Sequence, residues 1–360
     1  MLPLPAGTDF GIYTLLDSLG RGGFAIAYLA RDKQLGRRVC IKEHAPEGLC
    51  ERDPESGEIV PLPGMERAFA ASLADFQREA GVLASLHHAQ IPAVHEIFEA
   101  GGTVYAVTDY AEGSPLPQWL AEDAGRRRQL PLLLESVLCI LRSLHREGVL
   151  HRDLKPGHLI VDAAGGVRLV DFGAAVPAGG PHAPVFSPPF SPPEQNMQGT
   201  AGAWSDLYSL AASFRSVLLH EPPQEALQRL ESDRLRPLAK DAALLREYPE
   251  TFLRSIDRAL SLLPEERFES ADAWLAALAV REPPRARRRT VATALCVALV
   301  LALAAAAVAA RGLLAGQPEA PTPAEEAADP WEDDPLLRDD EDQRERMLKF
   351  VEGAPFPNQQ

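Results

Sequence analysis

The chain has 360 residues, a hydrophobic fraction of 46% and a formal net charge of −15. That length allows about two domains plus extra segments, and the apolar content suits a globular core. So acidic a balance argues against nucleic-acid binding as the default. Cys40, Cys50, Cys139 and Cys296 are scattered without metal-ligand spacing, which predicts reduced thiols. Met1-Leu2-Pro3-Leu4-Pro5 has no positive flank and no long apolar core, so no signal peptide is expected.

Ile12 to Leu19 reads as a strand, Gly20-Arg21-Gly22-Gly23-Phe24-Ala25 as a turn, and Ile26 to Ala30 as the returning strand. Glycines in such a hairpin let backbone N–H groups approach phosphate oxygens, because no Cβ intervenes. Arg38-Val39-Cys40-Ile41-Lys42 is the next strand, with Lys42 and Cys40 on one face and Val39 and Ile41 on the other. Residues 43 to about 64 are acidic and contain prolines; the expectation is a disordered loop, a docking surface being the alternative. A helix is predicted from Glu66 to Leu86, on apolar spacing at Phe69, Leu73, Phe76, Val82, Leu83 and Leu86. Glu79 falls on that stripe. A carboxylate on a buried stripe needs a partner, and Lys42 is the natural candidate.

Ile91 to Ala100 and Thr103 to Tyr110 read as a hairpin turning at Gly101-Gly102. A helix from about Leu130 stops at Arg146-Glu147-Gly148. Next comes Leu150-His151-Arg152-Asp153-Leu154-Lys155-Pro156-Gly157-His158, then a strand, a Gly-rich turn and a strand, then Asp171-Phe172-Gly173. A ribbon of that length would bring Asp153 and Asp171 side by side. Two converging carboxylates suit phosphoryl transfer, one accepting a proton and one holding Mg²⁺. A Pro-rich segment follows, with Ser187 and Ser191 as its only hydroxyls, and ends at Pro192-Pro193-Glu194. Trp204-Ser205-Asp206 opens a further helix, where Asp206 could serve as a cap. Arg281, Arg285, Arg287, Arg288 and Arg289 precede an uncharged run over 290–310. As a helix it would span roughly 30 Å, close to a bilayer core, with the Arg flank on the cytoplasmic side. An Ala-rich soluble helix is the alternative. The last fifty residues, rich in Pro, Glu and Asp, read as disordered.

Taken together, the glycine hairpin, Val39-Cys40-Ile41-Lys42, His151-Arg152-Asp153, Asp171-Phe172-Gly173 and Pro193-Glu194 resemble the eukaryotic-like, bacterial serine/threonine protein kinases of single-pass membrane type. Leu154-Lys155-Pro156 is similar to the serine/threonine branch. The resemblance covers roughly the first 280 residues. It implies an α+β, bilobal protein-kinase-like fold over 9–281, with a small β-rich N-lobe (9–110) and a larger helical C-lobe (111–281). A basic juxtamembrane segment (282–289), one transmembrane helix (290–310) and an acidic extracytoplasmic tail (311–360) would follow. The implied setting is the inner membrane, with the kinase domain cytoplasmic. ATP with Mg²⁺, or Mn²⁺ instead, and an unidentified protein substrate are the implied ligands; nucleic acid is not, and a homodimer stays open.

The resemblance also implies roles. Asp153 is the base, Lys155 neutralises the transferred phosphoryl group, Asp171 binds metal, and Lys42, set by Glu79, clamps the phosphates. Gly20, Gly22, Gly23, Phe24, Ala27, Cys40, Thr108, Asp109, Ala111 and Ile160 line the nucleotide site. Thr108 stands at the gatekeeper position, and Asp109 and Ala111 offer backbone hydrogen bonds to the base. Arg152, Glu194, Asp206 and Arg267 are scaffold, with Arg267 the expected partner of Glu194. Ala25 replaces the third glycine. His158 replaces an Asn whose oxygen helps hold a second metal; an imidazole suits softer ions such as Mn²⁺ or Zn²⁺. A pseudokinase or weakly active ATP-binding scaffold is therefore the alternative function. With so few hydroxyls, the Pro-rich segment is expected to be held by its own stiffness and not by phosphorylation.

Overall fold

The computed structural model describes residues 2–178, 187–196 and 201–279. Residues 179–186 of the Pro-rich segment, the 290–310 run and the 311–360 tail lie outside the described residues. By packing, the chain divides after Ala279. Among the described residues, no helix is long and apolar enough to cross a membrane.

The N-terminal half is built from β1 (Asp9–Phe10), β2 (Tyr13–Arg21), β3 (Ala25–Asp32), β4 (Arg38–His44), β5 (Cys50–Arg52), β6 (Ile59–Pro61), α1 (Glu66–Ser85), β7 (Val94–Ala100) and β8 (Thr103–Asp109). Six of the strands form one antiparallel sheet in the order β1-β2-β3-β4-β8-β7. The period-2 pattern decides which face is which. Val39 and Ile41 of β4 are fully buried with Ile26, Tyr28 and Val107, whereas Cys40 and Lys42 stay half-buried on the opposite face.

Residues 43–64 overturn the expectation of a disordered loop. β4 runs on through Glu43 and His44, and β5 and β6 pair as a short hairpin. The hairpin is anchored by a buried charge cluster. Glu43, fully buried, accepts from Tyr28 Oη (2.7 Å), Tyr105 Oη (2.5 Å) and Arg52 Nη2 (2.6 Å). Ile59 N–H donates to Gly101 O at 2.7 Å. The approach is close enough that a Cβ on Gly102, which has φ +74°, would lie 2.2 Å from Ile59 O, so only glycine fits there. The same stretch grips the glycine hairpin, with Ala45 N–H donating to Phe24 O (3.0 Å) and Glu47 N–H to Gly23 O (2.8 Å).

The C-terminal half begins with β9 (Ser114–Pro115), α2 (Leu116–Glu122) and α3 (Leu130–Arg146). One face of α3, including Leu134, Val137, Leu138 and Leu141, is wholly buried, each side chain worth about 1.5–3 kcal/mol. The helix stops where Gly148 takes φ +70°, as its sequence suggests. β10 (Val149–Leu150), β11 (Leu159–Val161), β12 (Val167–Leu169) and β13 (Val176–Pro177) follow. Then come α4 (Pro193–Asn196), α5 (Ala203–Leu219), α6 (Ala226–Glu231), α7 (Leu244–Glu247), α8 (Glu250–Ala259) and α9 (Ala271–Ala279). α5 is buried on all sides, and the other helices pack around it and α3.

Candidate active site

The strand–turn–strand expected between the two acidic motifs is β11 and β12, paired Leu159↔Leu169 to Val161↔Val167. Asp153 sits on the loop before this ribbon and Asp171 just after it. Arg152 and Asp171 both take positive φ, 66° and 65°, a region that ordinary side chains avoid. The surroundings hold the first of these in place. Asp206 accepts from the backbone N–H groups of His151 (2.9 Å) and Arg152 (2.8 Å), and Gln195 Nε2 donates to Arg152 O (2.8 Å). Asp206 is therefore the brace of this loop and not merely a helix cap. His145 at the end of α3 lies 2.8 Å from Asp206 and completes the brace.

The two carboxylates converge. Oxygens of Asp153 and Asp171 and a ring nitrogen of His158 all lie within 4.8 Å of one another. Asp171 Oδ1 is 2.6 Å from Lys42 Nζ, and its Oδ2 is 3.0 Å from His158 Nε2. Burial alone would raise the Asp171 pKa, but Lys42 and His158 outweigh it and hold it well below the ordinary carboxylate range. The same contact works on Lys42, where burial opposes the charge and Asp171 overrides it, leaving the pKa raised. Asp153 Oδ2 is 3.0 Å from Lys155 Nζ, while its Oδ1 is buried with no hydrogen-bond partner among the described residues. An ionised Asp171 beside a second carboxylate with an open oxygen fits a hard divalent cation, which prefers oxygen ligands.

The sheet register carries the nucleotide-facing residues. Gly20, Ala27 and Lys42 form one cross-strand row, and Cys40 and Thr108 pair two residues further along. Gly22 N–H closes the glycine turn onto Ala25 O at 2.9 Å, and Gly23 and Phe24 are exposed at its tip. Ile160 is half-buried on β11, on the face away from buried Leu159 and Val161. At the hinge, Asp109 N–H donates to Ala93 O (3.0 Å), which leaves its carbonyl, with a long contact from Thr108 Oγ1 (3.3 Å), as the group that can face a base; Ala111 N–H has no acceptor among the described residues.

The expected Lys42–Glu79 ion pair is not formed. Lys42 is taken by Asp171, and Glu79, half-buried on α1, has no salt bridge among the described residues. Burial, and then Asp75, push the Glu79 pKa up to about 8. With Lys42 bonded to Asp171, its charge lowers the Glu79 pKa less than burial raises it.

The second scaffold pair is formed. Arg267 grips Glu194 with two hydrogen bonds, 2.7 and 3.1 Å, both residues buried, and Ser205 Oγ adds a third at 2.8 Å. Ser191 is also buried, its Oγ accepting from Ser187 N–H at 3.0 Å. Sequence reasoning missed His145, Gln195 and the Glu43 cluster. Gln195 follows Glu194 directly and His145 lies in the last turn of α3, but neither position carries a local signal of its contact.

Comparison with known proteins agrees with this geometry. The protein kinase domain family matches residues 13–276. Serine/threonine-protein kinase PksC of Streptomyces coelicolor is 32% identical over 73% of this chain and 48% of its own length. Serine/threonine-protein kinase PknA of a Nostoc species is 30% identical over 74% of this chain and 46% of its own. Serine/threonine-protein kinase PknB of Mycobacterium leprae is 28% identical, covering 72% and 41%. The chain thus spans less than half the length of these curated relatives. The solved structure of PpkA-294 in its apo form superposes with a TM-score of 0.66 at 30% identity, over 77% of this chain and 99% of that one.

Proposed function

The chain belongs to the protein kinase family, and we propose that it transfers the γ-phosphoryl group of ATP to serine or threonine hydroxyls of a protein substrate. The observation that carries this is the convergence of Asp153, Asp171, Lys42 and Lys155 on one space. The substrate hydroxyl gives its proton to the unpartnered Asp153 Oδ1 as its oxygen attacks the γ-phosphorus, and ADP leaves. Lys155, already at Asp153, faces the transferred group and offsets its charge. Lys42 holds the α- and β-phosphates. Asp171 is the residue that would hold a divalent ion, Mg²⁺ or Mn²⁺, which would supply neutralisation of the phosphate charge. The names of the relatives lend no support to a silent scaffold.

The test is transfer of label from γ-labelled ATP to a generic protein substrate, followed by phosphoamino-acid analysis. Label on Ser or Thr is expected, with Asp153→Asn slower by ~10²–10⁴-fold. Label transferred equally by Asp153→Asn, or found on a small molecule only, would contradict the proposal.

The basic collar and uncharged 290–310 run support a further part of the reading, anchorage by one helix with the kinase domain on the cytoplasmic side. Recovery of the full chain in the soluble fraction, without detergent, would rule that out.

A further inference from the structure

His158 stands where the family resemblance calls for an oxygen donor, and its ring is placed in a particular way. It is 7% exposed, and the ring of His151, itself packed on Phe172, lies beside it. Its Nδ1 is 2.8 Å from the backbone carbonyl of Asp153. A carbonyl only accepts, so Nδ1 carries a hydrogen. In a neutral ring that leaves a lone pair on Nε2. Yet Nε2 lies 3.0 Å from Asp171 Oδ2, which also presents only lone pairs. Two acceptors do not rest at that distance unless something positive lies between them. The positive body is either a proton or a metal ion.

A metal ion fits the rest of the arrangement. A ring nitrogen bound to a metal ordinarily has its other N–H tied to a carbonyl or carboxylate, which fixes the tautomer and sharpens the lone pair. His158 has that tie. An octahedral ion with bonds of about 2.1 Å holds neighbouring ligands about 3.0 Å apart, a spacing that an N–H···O hydrogen bond shares. Asp153, the proton acceptor, lies beside the pair, one of its oxygens being within 4.8 Å of both ligand atoms.

We propose that His158 Nε2 is a metal ligand beside Asp171, and that this nitrogen shifts the site's preference from Mg²⁺ toward Mn²⁺. The inference rests on the reading that Asp171 holds the nucleotide's metal. Mg²⁺ gains little from an imidazole, whereas Mn²⁺ accepts mixed nitrogen and oxygen ligands and stands above hard alkaline-earth ions for nitrogen donors. The position then tunes metal choice without forfeiting the oxygen of Asp171.

The test is spectroscopic. The full chain, prepared with ¹⁴N- or ¹⁵N-labelled histidine, is loaded with Mn²⁺ and a non-hydrolysable ATP analogue, and electron spin echo modulation is recorded. Modulation from a directly bound nitrogen that changes with histidine labelling, and that disappears in His158→Asn, is expected. Mn²⁺ titrations competed with Mg²⁺ should show the Mn²⁺/Mg²⁺ preference falling roughly tenfold in His158→Asn. Bound Mn²⁺ without histidine nitrogen modulation would overturn the proposal while leaving Asp171 as the metal residue; the body between His158 and Asp171 is then a proton. Mn²⁺ binding unaffected by Asp171→Asn would instead overturn the underlying reading of the site.

Discussion

At the scale of single residues, Lys42 is bonded to Asp171 and not to Glu79, and the two carboxyls shift in opposite directions, Asp171 well down and Glu79 up to about 8. The sign of the consequence follows. A carboxyl whose folded pKa lies above its unfolded value of 4.5 contributes stability that is complete below 4.5 and is lost as pH rises through about 8. Urea unfolding from pH 5 to pH 9 should therefore show a decline that Glu79→Gln lacks; an identical decline in both proteins would mean that Glu79 is already ionised in the fold. His44 behaves in the opposite sense. Burial lowers its pKa to about 4, so its contribution is complete above 6.5 and lost as pH falls through 4. Helical spacing places Glu79 on the inner stripe correctly. It cannot say which of two carboxylates a lysine will choose, because that depends on relative burial across two halves of the chain.

Among the elements, the β5–β6 hairpin is the one least legible in the sequence. Its anchor is Glu43, and the three donors to Glu43 come from β3, β5 and β8. No local pattern announces contacts gathered from separate segments, and an acidic stretch with prolines reads as solvated. The β11–β12 ribbon is legible for the opposite reason, since strand, glycine turn and strand are consecutive and encode their own pairing. Removing the acceptor tests the anchor. Glu43→Ala leaves the Arg52 charge and two tyrosine hydroxyls without it, which should cost about 3–5 kcal/mol of unfolding free energy. A loss under about 0.5 kcal/mol, the range of ordinary surface substitutions, would show that the cluster is not what holds the hairpin. Because Ala45 and Glu47 bond the glycine turn, the same variant should also weaken nucleotide binding.

On the scale of the whole molecule, two braces set the catalytic loop. Asp206 on α5 holds the backbone of His151 and Arg152, and the Glu194–Arg267 pair ties the end of the Pro-rich segment to the residues before α9. Both are foreseeable from motif order, whereas their supporting partners His145 and Gln195 are not. The Asp206 brace holds the backbone just before Asp153, and the β11–β12 ribbon returns the chain to Asp171, so that the two carboxylates meet at a common point with different tasks. Comparing nucleotide binding with phosphoryl transfer in Asp153→Asn tests that division most directly. The account predicts that ATP affinity with Mg²⁺ stays close to wild type while transfer falls by ~10²-fold or more. Transfer that persists, or nucleotide binding lost in step with transfer, would contradict it.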